Sequence, residues 1–408
     1  MNIKTNNSKP KIAILSLKNS YVYGGVLSSL QAAYNFCKKH FDPTVFFLSF
    51  DPSISTSLKI LKFSSGVRPL TYCGMKGIEV GARWAFWEPG HYRFNLDRWE
   101  ELLKGYNYFL AVSGTPIVAH PFALLNKKYG LVASTPYNDD RERRVKTLSG
   151  FRYLIDRLAN KKMQNIEKLI LEQADFIWGL SNYSKMEFEK IMQRPAENFL
   201  RCGHPVESTI VPNLNNKDNN LIIAVGRFGD PRKNIDMLLR AFDKINQNIP
   251  DSKLYVIGGK PDISQISKFA HLASFKNIVF TGQVSDQDLK NFYQKASLML
   301  LTSYQEGFGV VGIEALWHGI PVIATACGGP SDYVVDGLTG YLVQVNDDAK
   351  MAEFATSILQ NQKQLKKTSI NSQNFVLDNY SISKIENAFE LGFIKMYPEL
   401  KSILTFKF

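Results

Sequence analysis

The sequence predicts two doubly wound α/β domains in tandem. Three observations carry that expectation. At 408 residues the chain is about two to three times the size of a common single domain. Both halves alternate short apolar runs with helical patterns, the signature of parallel sheets flanked by helices. The stretch Val211–Asn220, VPNLNNKDNN, is polar and turn-rich, so it reads as the linker between two such units.

Taken in order, Lys11–Ser16 reads as a first strand. A loop containing Gly24 and Gly25 follows, then a helix to about Lys39. Thr44–Phe50, Tyr108–Ser113 and Tyr129–Ser134 are later strands. Residues 152–172 carry Ile155, Leu158, Ile166, Leu169 and Ile170 at helical spacing, which predicts an amphipathic helix packed on its own sheet. In the second half Leu221–Gly226, Lys253–Gly259, Asn277–Gly282, Ala296–Ser303 and Pro321–Ala326 are strand runs ending at Gly or small residues. Ile235–Ile245 and Leu289–Ala296 lie between them as helices, and Ile382–Tyr397 is helical again.

Composition narrows the function classes. With 45% hydrophobic and 21% charged residues the chain is neither disordered nor fibrous. No apolar run is long enough to span a bilayer, and Ile12–Leu17 is too short for a signal-peptide core. Cys37, Cys73, Cys202 and Cys327 are scattered without a CxxC pair. That spacing fits neither a zinc site nor a disulfide framework, and it predicts a reducing, cytoplasmic setting. Nearly all of the formal net charge of +12 lies in residues 1–215, densest at Arg141, Arg143, Arg144 and Lys146, with Arg152 and Arg157 following. A basic surface attracts nucleic acid, anionic lipid or anionic small molecules. No zinc-finger, RRM or basic-zipper pattern accompanies the charge, so nucleic acid is not an expected partner.

Ligands of open α/β sheets bind beyond the carboxyl ends of the strands, so the residues just after each strand matter most. After Leu221–Val225 comes Gly226-Arg227-Phe228-Gly229-Asp230-Pro231-Arg232-Lys233-Asn234. Its glycines admit close backbone approach, and Arg227 and Lys233 suit a pyrophosphate, one as a planar fork and the other as a compact charge, although taken alone the segment reads as a surface loop with routine Lys and Arg. After Leu298–Leu301 comes Glu306-Gly307-Phe308-Gly309-Val310-Val311-Gly312-Ile313-Glu314-Ala315. A carboxylate among Gly, Phe and Val needs a partner, since burying it alone costs on the order of several kcal/mol. Glu306 falls on the loop and Glu314 on the helix that follows, whose first amides, around Phe308–Val311, form an anion site. Phosphates on those amides and sugar hydroxyls on the two carboxylates describe a nucleotide sugar. The third segment, Ala326-Cys327-Gly328-Gly329-Pro330-Ser331-Asp332, brings further backbone donors to a strand end.

These segments, with Gly258-Gly259, Phe280-Thr281-Gly282 and the run EGFGVVGIEALWHGIPVIATACGGPSDYVVDGLTGYLV at Glu306–Val343, resemble glycosyltransferase family 4 of the GT-B fold. The resemblance is close over roughly residues 220–345. In the first half it rests on the strand–Gly24-Gly25–helix pattern and on Ser181. It implies two Rossmann-like domains facing each other across a cleft: residues 1–212 binding the acceptor, 213–385 binding the nucleotide sugar, and a C-terminal helix, 386–408, packing back on the first. It also implies a retaining transfer of a hexose-type sugar from a nucleotide diphosphate sugar, a UDP- or GDP-sugar being expected, without a cofactor. Arg227, Lys233 and Glu306 are then the catalytic set. Arg227 and Lys233 hold the departing diphosphate, Glu306 contacts the sugar and Glu314 the ribose. The amides of Gly309, Val310 and Val311 with the Gly24-Gly25 loop complete the phosphate cradle, Gly226, Gly307 and Phe308 also bind the donor, and Gly282, Gln283 and Val284 lie by the base.

The pattern departs from the family where a histidine is expected after a strand of the first domain. Tyr108–Val112 is followed by Ser113-Gly114-Thr115, and the nearest histidine is His120; Ser113, Thr115 and His120 are the candidates for the sugar and acceptor side. Asp286 and Asp288 form a DxD pair, but Ser285 three residues before Asp288 reads as a helix cap, so no metal is expected. The basic first half points to an anionic acceptor, a glycan or lipid-linked envelope precursor, and to peripheral contact with an anionic membrane. Two other readings fit a nucleotide-sugar site: an epimerase, and a non-catalytic nucleotide-sugar-binding protein. The chain has no GxGxxG after a strand and no GxxxxGK[ST], which sets aside dehydrogenases and P-loop enzymes.

Overall fold

A computed structural model of the chain describes residues 9–18, 25–57, 61–84, 87–91, 96–139, 150–206, 212–215 and 217–404. The chain divides into two compact units, Met1–Cys202 with Ile385–Phe408, and Gly203–Lys384. The boundary expected after residue 212 falls inside the second unit for a physical reason. Val206 bridges Ser381 and its N–H donates to the Tyr380 carbonyl at 3.2 Å, while Gln373 donates to the Pro212 carbonyl at 2.9 Å. Asp218–Asn220, read as linker, already belong to a strand. The rest of that linker includes residues 211 and 216, which lie outside the described residues.

The first unit holds an eight-stranded sheet: β1 Lys11–Leu17, β2 Asp42–Ser49, β3 Val67–Tyr72, β4 Met75–Gly81, β5 Tyr108–Ser113, β6 Gly130–Ala133, β7 Phe176–Gly179 and β8 Phe199–Arg201. Their order is β3-β4-β2-β1-β5-β6-β7-β8, parallel throughout except for the β3/β4 hairpin. The inner strands are apolar runs because helices cover both faces. The hairpin escapes a sequence reading because β3 is an edge strand with no buried residue, carrying Arg68 and Pro69. Its turn is made by Cys73 and Gly74, at φ +48° and +76°. Helix α1 spans Gly25–His40 and α2 spans Gly150–Gln173. The face that α2 buries runs through Ala159, Met163, Ile170 and Leu171; Leu158, expected on it, is 62% exposed. The cluster Arg141, Arg143, Arg144 and Lys146 lies outside the described residues, as does the side chain of Arg152; Arg157 is exposed.

The C-terminal helix Ile382–Met396 belongs to this unit from Ile385 on. Phe389 and Phe393 set their rings 5.4 and 5.5 Å from Trp178, whose indole N–H donates to the Ala388 carbonyl at 2.8 Å. Gly392 permits the contact, since a Cβ there would lie 2.2 Å from the indole ring. No described helix is long and apolar enough to cross a membrane.

The second unit holds six parallel strands: β9 Asp218–Arg227, β10 Lys253–Gly259, β11 Ile278–Gly282, β12 Ala296–Leu301, β13 Val322–Thr325 and β14 Gly340–Val343. The order is β11-β10-β9-β12-β13-β14. The chain builds outward from β9 to β11, then returns to the other side of β9 with β12. The order therefore reverses between β9 and β12, the kind of position beyond which open α/β sheets bind ligands. Helix α3, Ile235–Asn248, buries Leu238, Leu239, Phe242 and Ile245 on one face. Helix α4, Asp286–Lys295, is capped by Ser285, whose Oγ accepts from the Asp288 N–H at 3.1 Å. Helix α5, Val310–Trp317, starts from Gly309 at φ +79°.

Candidate functional site

The three loop motifs of the second unit, far apart in sequence, are stitched together at the β9/β12 reversal. Thr302, just past β12, donates through Oγ1 to the Lys233 carbonyl at 2.9 Å, and the Tyr304 N–H donates to the Arg232 carbonyl at 2.7 Å. Two more bonds tie the third motif on: Glu306 N–H to Cys327 carbonyl and Gly329 N–H to Glu306 carbonyl, each 2.9 Å. Gly329 has to be glycine, because a Cβ would come 2.3 Å from Phe308 Cα and 2.6 Å from the Gly307 carbonyl oxygen. At the other side, Gly258 at φ +114° lets β10 close on β9; a Cβ there would lie 2.2 Å from the Gly226 carbonyl oxygen.

Within this frame Lys233 folds over Gly226, its Cε 3.3 Å from where a Cβ would stand, and its ammonium pairs with Glu306 Oε1. Ser303 Oγ donates to the same oxygen at 2.7 Å. Burial pushes the Glu306 carboxyl up, but the Lys233 charge and the hydrogen bonds from Lys233 and Ser303, with Arg232 nearby, outweigh it. The group is held below the usual carboxylate range. Arg227 is exposed at the end of β9. The buried arginine of this loop is Arg232, 8% exposed and bidentate to Asp230, with Nη2 to Oδ2 at 2.7 Å. That residue was missed, although a carboxylate two positions before an arginine across a proline was a usable signal.

Glu314 sits apart from Glu306 in its contacts. It accepts from the Tyr293 hydroxyl at 2.9 Å, and burial, with the Asp286 charge adding, raises it to about 7 against the lowering effect of that hydrogen bond. The Phe308 ring is core, edge-on to Tyr333 at 5.4 Å. Phe308 therefore leaves only its backbone beside the half-buried Gly307, Gly309, Val310 and Val311. The Tyr333 hydroxyl donates to the Gly309 carbonyl at 2.8 Å, which holds the left-handed turn open. Gly282 ends β11 at φ +75° under Lys260, whose Cε would be 2.9 Å from an added Cβ, so Lys260 is another cation the sequence reading passed over. Gln283 is exposed and Val284 half-buried on this edge.

In the first unit the order reverses between β1 and β5. Gly25 opens α1 there, and Gly24 lies outside the described residues. Ser113 ends β5, buried, with Thr115 half-buried; Gly114 between them faces Val26, 3.3 Å from an added Cβ. The structure so brings Gly25, Ser113 and Thr115 to one edge. His120 instead is 3% exposed within the helix His120–Leu124. Ser134 and Thr135, after β6, join the same edge through N–H bonds of 3.1 and 3.0 Å to the Gly114 carbonyl; nothing in their local sequence singled them out.

Residues 206–375 match the family described as Glycosyl transferases group 1. An uncharacterised glycosyltransferase of Methanocaldococcus jannaschii is 31% identical over 57% of this chain and 62% of its own length. A GDP-mannose-dependent phosphatidylinositol monomannoside mannosyltransferase of Mycolicibacterium smegmatis is 27% identical over 40% of this chain and 44% of its own. The chain thus spans less than two thirds of the length of these curated relatives. Among solved structures, Anabaena HepE with UDP and glucose superposes with a TM-score of 0.69 at 14% identity, covering 93% of this chain and 98% of that one. Sucrose-phosphate synthase of Thermosynechococcus elongatus does so with a TM-score of 0.69 at 18% identity, covering 97% and 100%. The fold is GT-B, and residues 206–375 carry a glycosyl transferases group 1 domain.

Proposed function

We propose that the protein is a nucleotide-sugar glycosyltransferase that uses the second unit to hold its donor and transfers a hexose-type sugar with retention of configuration. The observation that carries this is the Lys233–Glu306 pair at the β9/β12 reversal, inside the matched domain and bounded by three glycine-bearing loops. In the proposed reaction the bond from the sugar's anomeric carbon to the diphosphate breaks with its electron pair on the phosphate oxygen, and a bond to an acceptor hydroxyl oxygen forms as that hydroxyl's proton passes to the departing diphosphate. Lys233 and Arg227 supply fixed positive charge where the phosphate gains negative charge, the arrangement that stabilises such a transition state most. Glu306, kept ionised by Lys233 and Ser303, accepts hydrogen bonds from sugar hydroxyls. The amides at the start of α5 take a phosphate and Glu314 takes the ribose. No cofactor is part of this chemistry.

The acceptor is proposed to be anionic or presented at an anionic membrane surface. Leu61, Phe63 and Trp84 are 74%, 72% and 44% exposed in the first unit, close in sequence to Lys62 and Arg83, a combination that suits a lipid headgroup layer. Binding to vesicles with anionic lipid, and none to neutral ones, is the expected result.

The donor reading is tested by thermal shift with UDP-, GDP- and ADP-sugars on the wild type and Lys233→Ala, together with release of nucleoside diphosphate from whichever donor binds. One donor should raise the melting temperature and be cleaved by the wild type alone. No shift with any donor would end the proposal.

A further inference from the structure

Glu314 is one corner of a cluster the proposed reaction does not explain. Tyr293, on α4 and 2% exposed, donates its hydroxyl to Glu314 Oε2 at 2.9 Å, with a longer approach of 3.5 Å to the Val311 carbonyl. Its ring lies flat on the His318 imidazole, centroids 5.0 Å apart at 19°. His318 Nδ1 is 2.8 Å from the Glu314 carbonyl oxygen. Lys217, before β9, donates to the Tyr293 carbonyl at 2.8 Å. So the groups acting on the Glu314 carboxyl, Tyr293 and Asp286, both come from α4, while His318, just past α5, holds the Glu314 main-chain carbonyl and stacks on the Tyr293 ring. Lys217 and Lys290 act on His318 from beside it, and Tyr333 faces Tyr293.

A carboxylate has two oxygens, and a vicinal diol binds it well only if one is free and the group is ionised. Burial drives Glu314 up to about 7, so near neutrality the carboxyl is poised between acid and anion; the phenol's hydrogen bond pulls it toward the anion. Burial also lowers Lys217 to about 7, so the neighbourhood carries little fixed positive charge to do this instead. The phenol is the group that decides.

We propose that Tyr293 is a positioning residue for the donor's ribose: its hydroxyl occupies one oxygen of Glu314, reserves the other for the vicinal diol, and makes donor binding release a proton. The inference rests on the donor-site reading above. Diol donors stabilise the ionised carboxylate, so affinity rises with pH through the region where Glu314 titrates and levels off above it.

The test is calorimetric titration of the wild type, Tyr293→Phe and Glu314→Gln with UDP-glucose and GDP-mannose at pH 6, 7 and 8, in buffers of differing ionisation enthalpy. The phosphates of these diesters do not titrate in that range. Inorganic pyrophosphate at pH 7 serves as the ribose-free probe. The wild type should bind one donor about tenfold more tightly at pH 8 than at pH 6, releasing close to one proton at pH 6. Tyr293→Phe keeps the ring on His318, and should weaken donor binding about fivefold to tenfold at pH 7, shift the pH dependence upward and leave pyrophosphate unchanged. Equal donor affinities in wild type and Tyr293→Phe at every pH overturn the proposal, as does an equal loss of pyrophosphate affinity, the mark of a merely structural residue. If Tyr293→Phe does not fold, Glu314→Gln decides: proton release must vanish in it, and its persistence overturns the proposal. Binding of neither donor by the wild type would instead defeat the donor reading itself, and this inference with it.

Discussion

Lys233 and Glu306 lie 73 positions apart in sequence and form one ion pair, closed by Ser303 on the same carboxylate oxygen. Their side chains are 16% and 14% exposed, so neither charge is well solvated and each depends on the other. Removing one partner of such a pair strands the other's charge, which costs more than the pair itself contributes. Lys233→Ala should therefore destabilise the protein by about 2–3 kcal/mol in urea unfolding, and Lys233→Met with Glu306→Gln by less. The pH dependence has a definite sign. Glu306 titrates lower in the folded chain than in the unfolded one, so its stabilisation is present above the ordinary value of about 4.3 and is lost as pH falls through the lower folded value. Lys233→Ala should flatten that acid limb.

Glu167 predicts the opposite slope. It is 1% exposed on α2, accepts from the Tyr137 N–H at 2.7 Å, and is driven up to about 8 by burial, with the Asp139 charge adding. The folded protein thus holds a proton the unfolded chain gives up. The associated stability is fully present below about pH 4.3 and declines as pH rises, until it levels off above about 8. Glu167→Gln retains the acceptor for Tyr137 and should have a higher melting temperature than the wild type at pH 9, with the gap closing toward pH 5. A constant gap across that range would refute the assignment.

Two glycines separate local strain from loop assembly. Gly329→Ala forces a Cβ to 2.3 Å from Phe308 Cα, so the loops bearing Glu306 and Gly329 must part. We expect a stability loss of about 3 kcal/mol and loss of the donor-induced thermal shift. Gly337, at φ +73°, has nothing within 4 Å of an added Cβ. Gly337→Ala should cost only about 1 kcal/mol of backbone strain and leave the donor shift intact.

The C-terminal helix should be inseparable from the first unit. Phe393 is fully buried, its ring 5.5 Å from both Trp178 and Phe41. Phe393→Ala should cost about 3–5 kcal/mol, and a chain ending at Lys384 should lose the near-ultraviolet signature of the first unit's aromatics. Retention of that signature in the truncated chain would count against a shared core.

How legible the molecule was in its sequence varied with the kind of interaction. Strands of the second sheet, from Leu221 to Ala324, are legible because the inner ones are buried on both faces and so read as continuous apolar runs, ending at glycine or small residues. Strand β3 is invisible in the sequence because an edge strand needs no such run. Leu158 was placed on the wrong face because helical spacing identifies a stripe but not which of two adjoining stripes meets the sheet.

The same division applies to the site. Local sequence determined the positions that lie beyond strand ends: Gly226, Lys233, Glu306, Gly309 and Glu314 announce themselves by residue types that are costly or strained unless something exploits them. Tertiary structure alone decided which charges meet. That Lys233 takes Glu306 while Arg227 stays exposed follows from the loops brought together at the β9/β12 reversal, and that Tyr293 reaches Glu314 follows from the contact of α4 with α5. Hydrogen bonds and ion pairs act over a few ångströms between groups tens of residues apart, and no periodicity along the chain records them.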